Sequence, residues 1–289
     1  MFYLLAIGSM LGYAVQGVLL VRYARQMDGL SFAFYRNISF CITLLPLCIG
    51  STLGDVVVVF DHWHLLAASA LMGGFSIAIS SAAYRSLSVG VVTTITKASS
   101  TLLMVAFAWW LLGETLPPAS LLLIVFIACA TFSLGIQRTP LPHLDNRHGR
   151  GIAIVLLGTV PLVLTYISFT ALSRTAPPLL SGYFWETAIA MACILLLLGR
   201  WVLTGQPLQK ISQKTFFRIA LCASPTLVGT GLYALATRIG PVAIVGAVGS
   251  ASLVFSALLA WLLYKEPLRG KQWLSIAAVM VGIGLLRFV

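Results

Sequence analysis

Two charged side chains lie deep inside apolar stretches of this sequence. Lys97 is about seven residues into one apolar run, and Glu186 is about eight residues into another. A charge in an apolar interior costs several kcal/mol, so each needs a partner or a task. A lysine in such a place can hold a carboxylate or phosphate, and a glutamate can bind an amine or accept a proton. The structural alternative is that Lys97 pairs with a carboxylate of another helix and that Glu186 only neutralises Lys97.

Arg36 is a third candidate, near the start of another apolar run in the sequence Phe34-Tyr35-Arg36-Asn37. Its long stem allows two interpretations, an anchor at the edge of the apolar layer or a ligand for an anion. Bulky polar residues in the apolar runs are further candidates for a binding cavity, because buried hydroxyl, indole and amide groups must find hydrogen-bond partners. They are Tyr13, Gln16, Tyr84, Tyr166, Tyr183, Trp185 and Tyr233.

The composition shows what kind of element must position these residues. Of the 289 residues, 60% are apolar and only 9% are charged. Soluble domains are roughly 45–50% apolar and about 25% charged, so a soluble enzyme, a disordered chain and a disulfide scaffold are excluded. The apolar runs predict ten transmembrane helices. They cover residues 2–21, 31–50, 63–84, 90–112, 117–137, 151–171, 178–202, 215–236, 242–264 and 271–288.

The basic residues predict how these helices are oriented. The formal charge is +11, but the Lys and Arg residues are scattered singly and form no patch for nucleic acid. Most of them fall in every second connection, which includes the polar linker 138–150. Because Lys and Arg mark cytoplasmic loops, we expect a cytoplasmic linker, periplasmic termini and a bacterial inner membrane.

The two halves of the chain repeat each other. When Glu114 is aligned with Glu266, residues 82–116 match residues 234–268, and Trp109 meets Trp261. Five helices per half is an odd number, so the second copy must lie upside down relative to the first. The predicted fold is therefore an all-α polytopic membrane protein of two inverted five-helix repeats, residues 1–137 and 151–289. A loose alignment also sets Tyr35-Arg36 against Trp185-Glu186, which would offer a cation and an anion to a zwitterion.

The repeated helix ends resemble those of the EamA-type transporters of the drug/metabolite transporter superfamily. The two copies are Leu112-Gly113-Glu114-Thr115-Leu116 and Tyr264-Lys265-Glu266-Pro267-Leu268. The segment from Phe34 to Asn37, followed by Leu44-Leu45-Pro46, is similar to the second helix of one subgroup. The resemblance implies a secondary transporter with a cavity between the repeats that opens alternately to each side. Within this pattern we expect Glu114 and Glu266 to make helix-end hydrogen bonds or loop salt bridges.

The sequence therefore favours export of a small polar or zwitterionic metabolite, such as an amino acid or a derivative. Glu186 is the proton-coupling candidate, and no catalytic residue is expected. No cofactor is implied, and no His, Cys or carboxylate cluster has metal-ligand spacing. The expected partners are the substrate and membrane lipid, with no nucleic acid, in a monomer or homodimer. The alternatives are a drug or cation exporter with proton antiport, a metabolite importer, a membrane enzyme using Lys97 and Glu186, and a non-transporting scaffold.

Overall fold

The computed structural model describes residues 1–83, 87, 89–138, 146–265 and 268–289. Within these ranges the regular structure is entirely helical. The helices are α1 Phe2–Gln26, α2 Gly29–Thr43, α3 Leu53–Asp61, α4 Trp63–Ala83, α5 Val89–Leu112, α6 Pro118–Arg138, α7 Asn146–Thr175, α8 Pro178–Thr204, α9 Gln213–Ala223, α10 Thr226–Ile239, α11 Val242–Ser250, α12 Ser252–Tyr264 and α13 Gly270–Leu286.

The ten predicted spans have counterparts among these helices. Nine helical segments of the described residues are long and apolar enough to cross a membrane, and α13 is a shorter apolar helix of 17 residues. At 1.5 Å per residue α13 is about 25 Å long, close to the minimum for a span. The predicted fold class, a multi-pass all-α membrane protein, is therefore confirmed.

Three spans are less regular than the sequence pattern suggested. The second span ends as α2 at Thr43 and continues only as a 3₁₀ turn, Leu45–Cys48, that contains a proline. The eighth span breaks into α9 and α10 at Ser224 and Pro225, because proline lacks the N–H that a continuing helix needs. The ninth span breaks into α11 and α12 at Ala251, which the sequence pattern did not predict.

Two further differences concern the connections and the prolines. The connection between the second and third spans contains α3, which begins with a capping box of Thr52 and Asp55. A Thr and an Asp three residues apart are a sequence signal for such a start. Pro161 of the sixth span lies inside α7, which continues through it.

The helices pack in two groups that each mix the two halves of the chain. In one group α1 packs against α10 and α12, and α2 packs against α9. In the other group α4 packs against α7 and α8, and α5 packs against α7. Exchange of the two halves converts one set of contacts into the other, as an inverted repeat requires. The remaining long helices, α6 and α13, pack against each other.

The outer surface of the bundle is strongly apolar. Exposed side chains include Trp109, Trp110, Leu122, Trp201 and Leu262. Small residues instead occupy the closest helix crossings, where Gly12 of α1 meets the backbone of Gly229 in α10. Small residues at crossings and large apolar ones outside are typical of helices packed in lipid.

Candidate functional site

A cavity of about 330 Å³ lies between the two groups of helices. Seven helices line it, and both halves of the chain contribute. The polar lining residues are Tyr13, Gln16, Arg36, Asn37, Ser76, Thr93, Lys97, Thr165, Tyr166, Trp185, Glu186, Ser252 and Ser256. Seven of the sequence candidates thus line one space, although they come from five different helices.

Glu186 is the carboxylate of the cavity. Its side chain is buried, and its Oε1 accepts a hydrogen bond from the Thr230 hydroxyl at 3.0 Å. The Tyr13 hydroxyl lies 2.9 Å from the same Thr230 oxygen. Because threonine has a single hydroxyl proton and donates it to Glu186, Tyr13 must be the donor to Thr230. The chain of hydrogen bonds fixes the carboxylate and links α8, α10 and α1.

Lys97 and Arg36 bring two cations to the same cavity. Among the described residues, no carboxylate oxygen lies within 4 Å of the Lys97 ammonium or the Arg36 guanidinium. Arg36 is within electrostatic range of both Lys97 and Glu186, and its guanidinium carbon lies 5.2 Å from the centre of the Phe40 ring. Arg36 is therefore a cavity residue and not only an anchor, and Lys97 and Glu186 do not form the direct pair that the structural alternative required.

Several hydrogen-bond donors of the cavity have no protein partner in the described part of the chain. They are the Nε2 of Gln16, the Nε of Arg36 and the Nε1 of Trp185. Gln16 and Trp185 are 6% and 3% exposed, so bulk solvent does not satisfy them. A buried donor without a partner costs about 1–3 kcal/mol, and a ligand that accepts hydrogen bonds would recover this energy.

An aromatic layer forms one wall of the cavity, which Tyr166 and Trp185 line directly. Phe169 stacks on Trp185 at 4.4 Å and on Tyr233 at 5.6 Å, measured between ring centres. Tyr166 contacts both Trp185 and Tyr233, at 5.6 and 5.4 Å. The rings come from α7, α8 and α10, so this layer joins three helices beside the cavity.

An ion pair lies beyond the aromatic layer, about 8 Å past Phe169 along α7 at 1.5 Å per residue. Arg174 pairs with Glu114 and also donates to the backbone oxygens of Thr237 at 3.0 Å and Gly240 at 3.2 Å. Glu114 Oε1 also accepts from the backbone N–H of Val242 at 3.0 Å, at the start of α11. The predicted helix-end role of Glu114 is confirmed, whereas Glu266 lies outside the described residues. We call the Arg174–Glu114 pair and its backbone partners the latch.

The latch lies at the end of the bundle away from the linker. It joins the ends of α5, α7 and α10 to the start of α11, and α5 packs against α11. Arg200 of α8 and Asp28 before α2 form a second ion pair, of 2.7 Å, at the linker end. Lys97 and Arg36 each lie about eight residues from the linker end of their helices, on the linker side of the aromatic layer.

Two sequence candidates do not line the cavity, and a third lies outside the described residues. The Tyr183 hydroxyl is directed to α2, where it donates a hydrogen bond to the Cys41 oxygen at 3.4 Å. Tyr233 is in the aromatic layer behind Tyr166 and supports the wall without lining the space. Tyr84 lies outside the described residues.

The structure brings six polar residues to the cavity that were not among the site candidates: Asn37, Ser76, Thr93, Thr165, Ser252 and Ser256. Asn37 is held by hydrogen bonds to the Ala33 oxygen and to Cys193 Sγ, at 2.8 and 3.3 Å. Ser252 and Ser256 are four residues apart on α12, the spacing that puts two side chains on one helix face. Ser76 lines the cavity three residues after Gly73 on α4. Without the break at Ala251, nothing in the sequence distinguished Ser252 and Ser256 from many other serines.

The arrangement can hold charged groups but has little to offer for catalysis. Among the described residues, no group of three His, Cys, Asp or Glu side chains could hold a metal ion. No hydrogen bond or ion pair joins Lys97 to Glu186 in the described part of the chain.

Comparisons with known proteins agree with this architecture. Residues 1–136 and 149–288 match the EamA-like transporter family. A solved structure, described only as a crystal structure of a protein, has a TM-score of 0.72 and 16% identity over 97% of this chain and 96% of that one. At this identity the likeness shows the fold alone. No curated protein matches the chain.

Proposed function

This chain belongs to the EamA-like transporter family, and we propose that it exports a small polar or zwitterionic metabolite, such as an amino acid or a derivative, across a bacterial inner membrane. The observation that carries the proposal is the central cavity, which holds Lys97, Arg36 and Glu186 together between the two halves of the chain. A zwitterion needs a cationic and an anionic contact within one small space, and these three residues supply both. Binding sites between repeats are usual in secondary transporters.

The size and charge of the cavity support a small substrate. Its volume of about 330 Å³ is at the lower end of the range for ligand pockets, about 300–1,000 Å³. Two of its three charges are cations, which disfavours a cationic drug. A metabolite of amino-acid size with an acidic group fits these two properties better.

The expected orientation of the chain supports loading from the linker side. The latch joins helices at the opposite end, and the Arg200–Asp28 pair joins α8 to the start of α2 at the linker end. With the linker in the cytoplasm and both termini periplasmic, as the positive-inside rule favours, the cavity takes its cargo from the cytoplasm. Glu186 would accept the counter-transported proton, since its carboxylate lies in the cavity and bonds to Thr230.

The proposal is tested by comparing metabolites in the medium and cytoplasm of cells with and without the protein. The solute that differs is then measured in liposomes with purified protein and the variants Lys97→Met and Glu186→Gln. We expect each variant to transport at least tenfold more slowly, because each loses one charged contact to the substrate. Matched controls are Lys210→Met and Asp61→Asn, which alter exposed residues and should keep full activity.

Three outcomes contradict parts of the proposal. If no solute differs between the two kinds of cell, the chain is not a metabolite exporter. If both cavity variants transport normally, the site is elsewhere. If a reporter fused after Val289 is active in the cytoplasm, the proposed orientation is wrong.

A further inference from the structure

The charges of the cavity are unequal. Lys97 and Arg36 are cations and Glu186 is the carboxylate of the cavity among the described residues, so the charged forms leave one positive charge in excess. Protonation of Glu186 removes the negative charge and increases the excess to two. The cavity is therefore positive in either protonation state of Glu186.

An excess charge matters most when the cavity closes. In an occluded state the uncompensated cation is removed from water, and an unpaired charge inside a membrane protein is costly. A zwitterion of zero net charge leaves this excess unchanged, because its ammonium and carboxylate cancel each other. A substrate with a second acidic group cancels it.

The hydrogen-bond donors point in the same direction. Gln16, Arg36 and Trp185, which line the cavity together with Lys97, each carry a buried nitrogen that has no partner among the described residues. A carboxylate accepts about four hydrogen bonds and donates none, so two acidic groups match this set of donors. By contrast, Glu186 is the charged acceptor that remains for an amine, and one of its oxygens already accepts from Thr230.

We propose that the substrate is an amino acid with a second acidic group and a net negative charge, as in the amino dicarboxylic acids. This inference rests on the proposed transport function. One acidic group binds to Lys97, the other binds to Arg36, and the ammonium binds to Glu186. Arg36 lines the same cavity as Lys97 and Glu186 and interacts electrostatically with both, so one small molecule could contact all three.

Pairs of ligands that differ by one charge at nearly constant shape test the inference. Purified full-length protein in detergent is titrated with L-glutamate and L-glutamine, and with L-aspartate and L-asparagine, and binding is measured as the rise in unfolding temperature. We expect at least one acid to bind tenfold or more tightly than its amide, a difference of about 1.4 kcal/mol. The preference should disappear in Lys97→Met and persist in Lys210→Met.

Each result has a definite meaning. Amides that bind as well as their acids in both pairs, or no binding by either acid, overturn the inference, as does a preference that survives in Lys97→Met. The metabolite comparison gives a separate answer: an exported solute with zero or positive net charge overturns the inference and leaves the transport function intact. If no solute is exported, the transport function itself fails, whatever the titrations show.

Discussion

The latch leads to the most specific prediction about how this protein moves. Arg174 lies on α7, in one group of helices, and its partners Thr237 and Gly240 lie at the end of α10, in the other group. Opening of this end of the bundle must separate the two groups, and the latch then breaks. Arg174→Ala removes the bond to Glu114 and both bonds to backbone oxygens without touching the cavity.

The expected size of the effect follows from the contacts. A hydrogen bond to a charged group contributes about 1.5–3 kcal/mol, and a hydrogen bond between neutral groups contributes about 0.5–1.5 kcal/mol. The Arg174 side chain is 30% exposed, so water replaces part of what is lost. We therefore expect Arg174→Ala to shift the balance toward the open state by about 2 kcal/mol, roughly a thirty-fold change in the ratio of the two states.

The assay is a distance measurement between two spin labels on opposite sides of the latch. Labels at Thr175 and Arg238 are suitable because both positions are exposed and lie at the ends of α7 and α10. The five native cysteines are first replaced. In the Arg174→Ala variant a longer distance should become populated, Arg174→Lys should show a smaller change, and Arg287→Ala should show none. If the distance distribution of Arg174→Ala equals that of the parent, the latch does not hold this end closed.

Two further predictions concern stability, both measured as unfolding temperature in detergent. Gly12→Ala should unfold several degrees lower than the parent, because the added Cβ would lie 2.6 Å from the backbone nitrogen of Gly229. The control is Gly17→Ala, where the nearest atom would lie 4.0 Å from the added Cβ. This control should unfold at the same temperature as the parent or slightly higher. Equal losses in both variants would argue against the close helix crossing. Partial burial raises the pKa of Asp28, but hydrogen bonds from the first turn of α2 and from Arg200 outweigh it and leave the pKa below its ordinary value. The stability that Asp28 contributes is therefore present above about pH 4 and lost as the pH falls through the lowered pKa. Asp28→Asn keeps the helix cap and should lower the free energy of unfolding by less than about 1 kcal/mol. Asp28→Ala removes the cap and should lower it by about 1 kcal/mol more. Equal losses in the two variants would contradict the capping role.

Much of the site was predictable because charge in an apolar run is rare and costly. Lys97 and Glu186 could be selected on that ground alone, and both line the cavity. Tyr183 and Tyr233 were selected only as polar residues in apolar helices. This criterion is weaker, because a buried tyrosine can find a hydrogen-bond partner between packed helices as easily as in a cavity. Their positions depend on which face of α8 and α10 turns inward, and no charge marks that face.

One of the helix breaks could also be predicted from the sequence, whereas another could not. Pro225 marks the start of α10, since a proline inside a helix removes a hydrogen bond. Pro161 carries the same local signal, yet α7 continues through it. The break at Ala251 carries no such signal; α11 packs mainly against α5, and α12 packs mainly against α1. Ser252 and Ser256 could not be recognised as cavity residues before that break was known.

The sequence by itself determined that the chain is a bundle of apolar helices in two related halves. Hydropathy and the repeat are properties of the residue order, and they do not depend on how the helices pack. It also identified the charges that need an explanation. The tertiary structure decided which of them meet. Arg36, Lys97 and Glu186 are far apart in the chain and share one cavity only because helices of the two halves pack alternately. Charges that share a cavity must be balanced together, so the excess of positive charge is a property of the folded molecule alone.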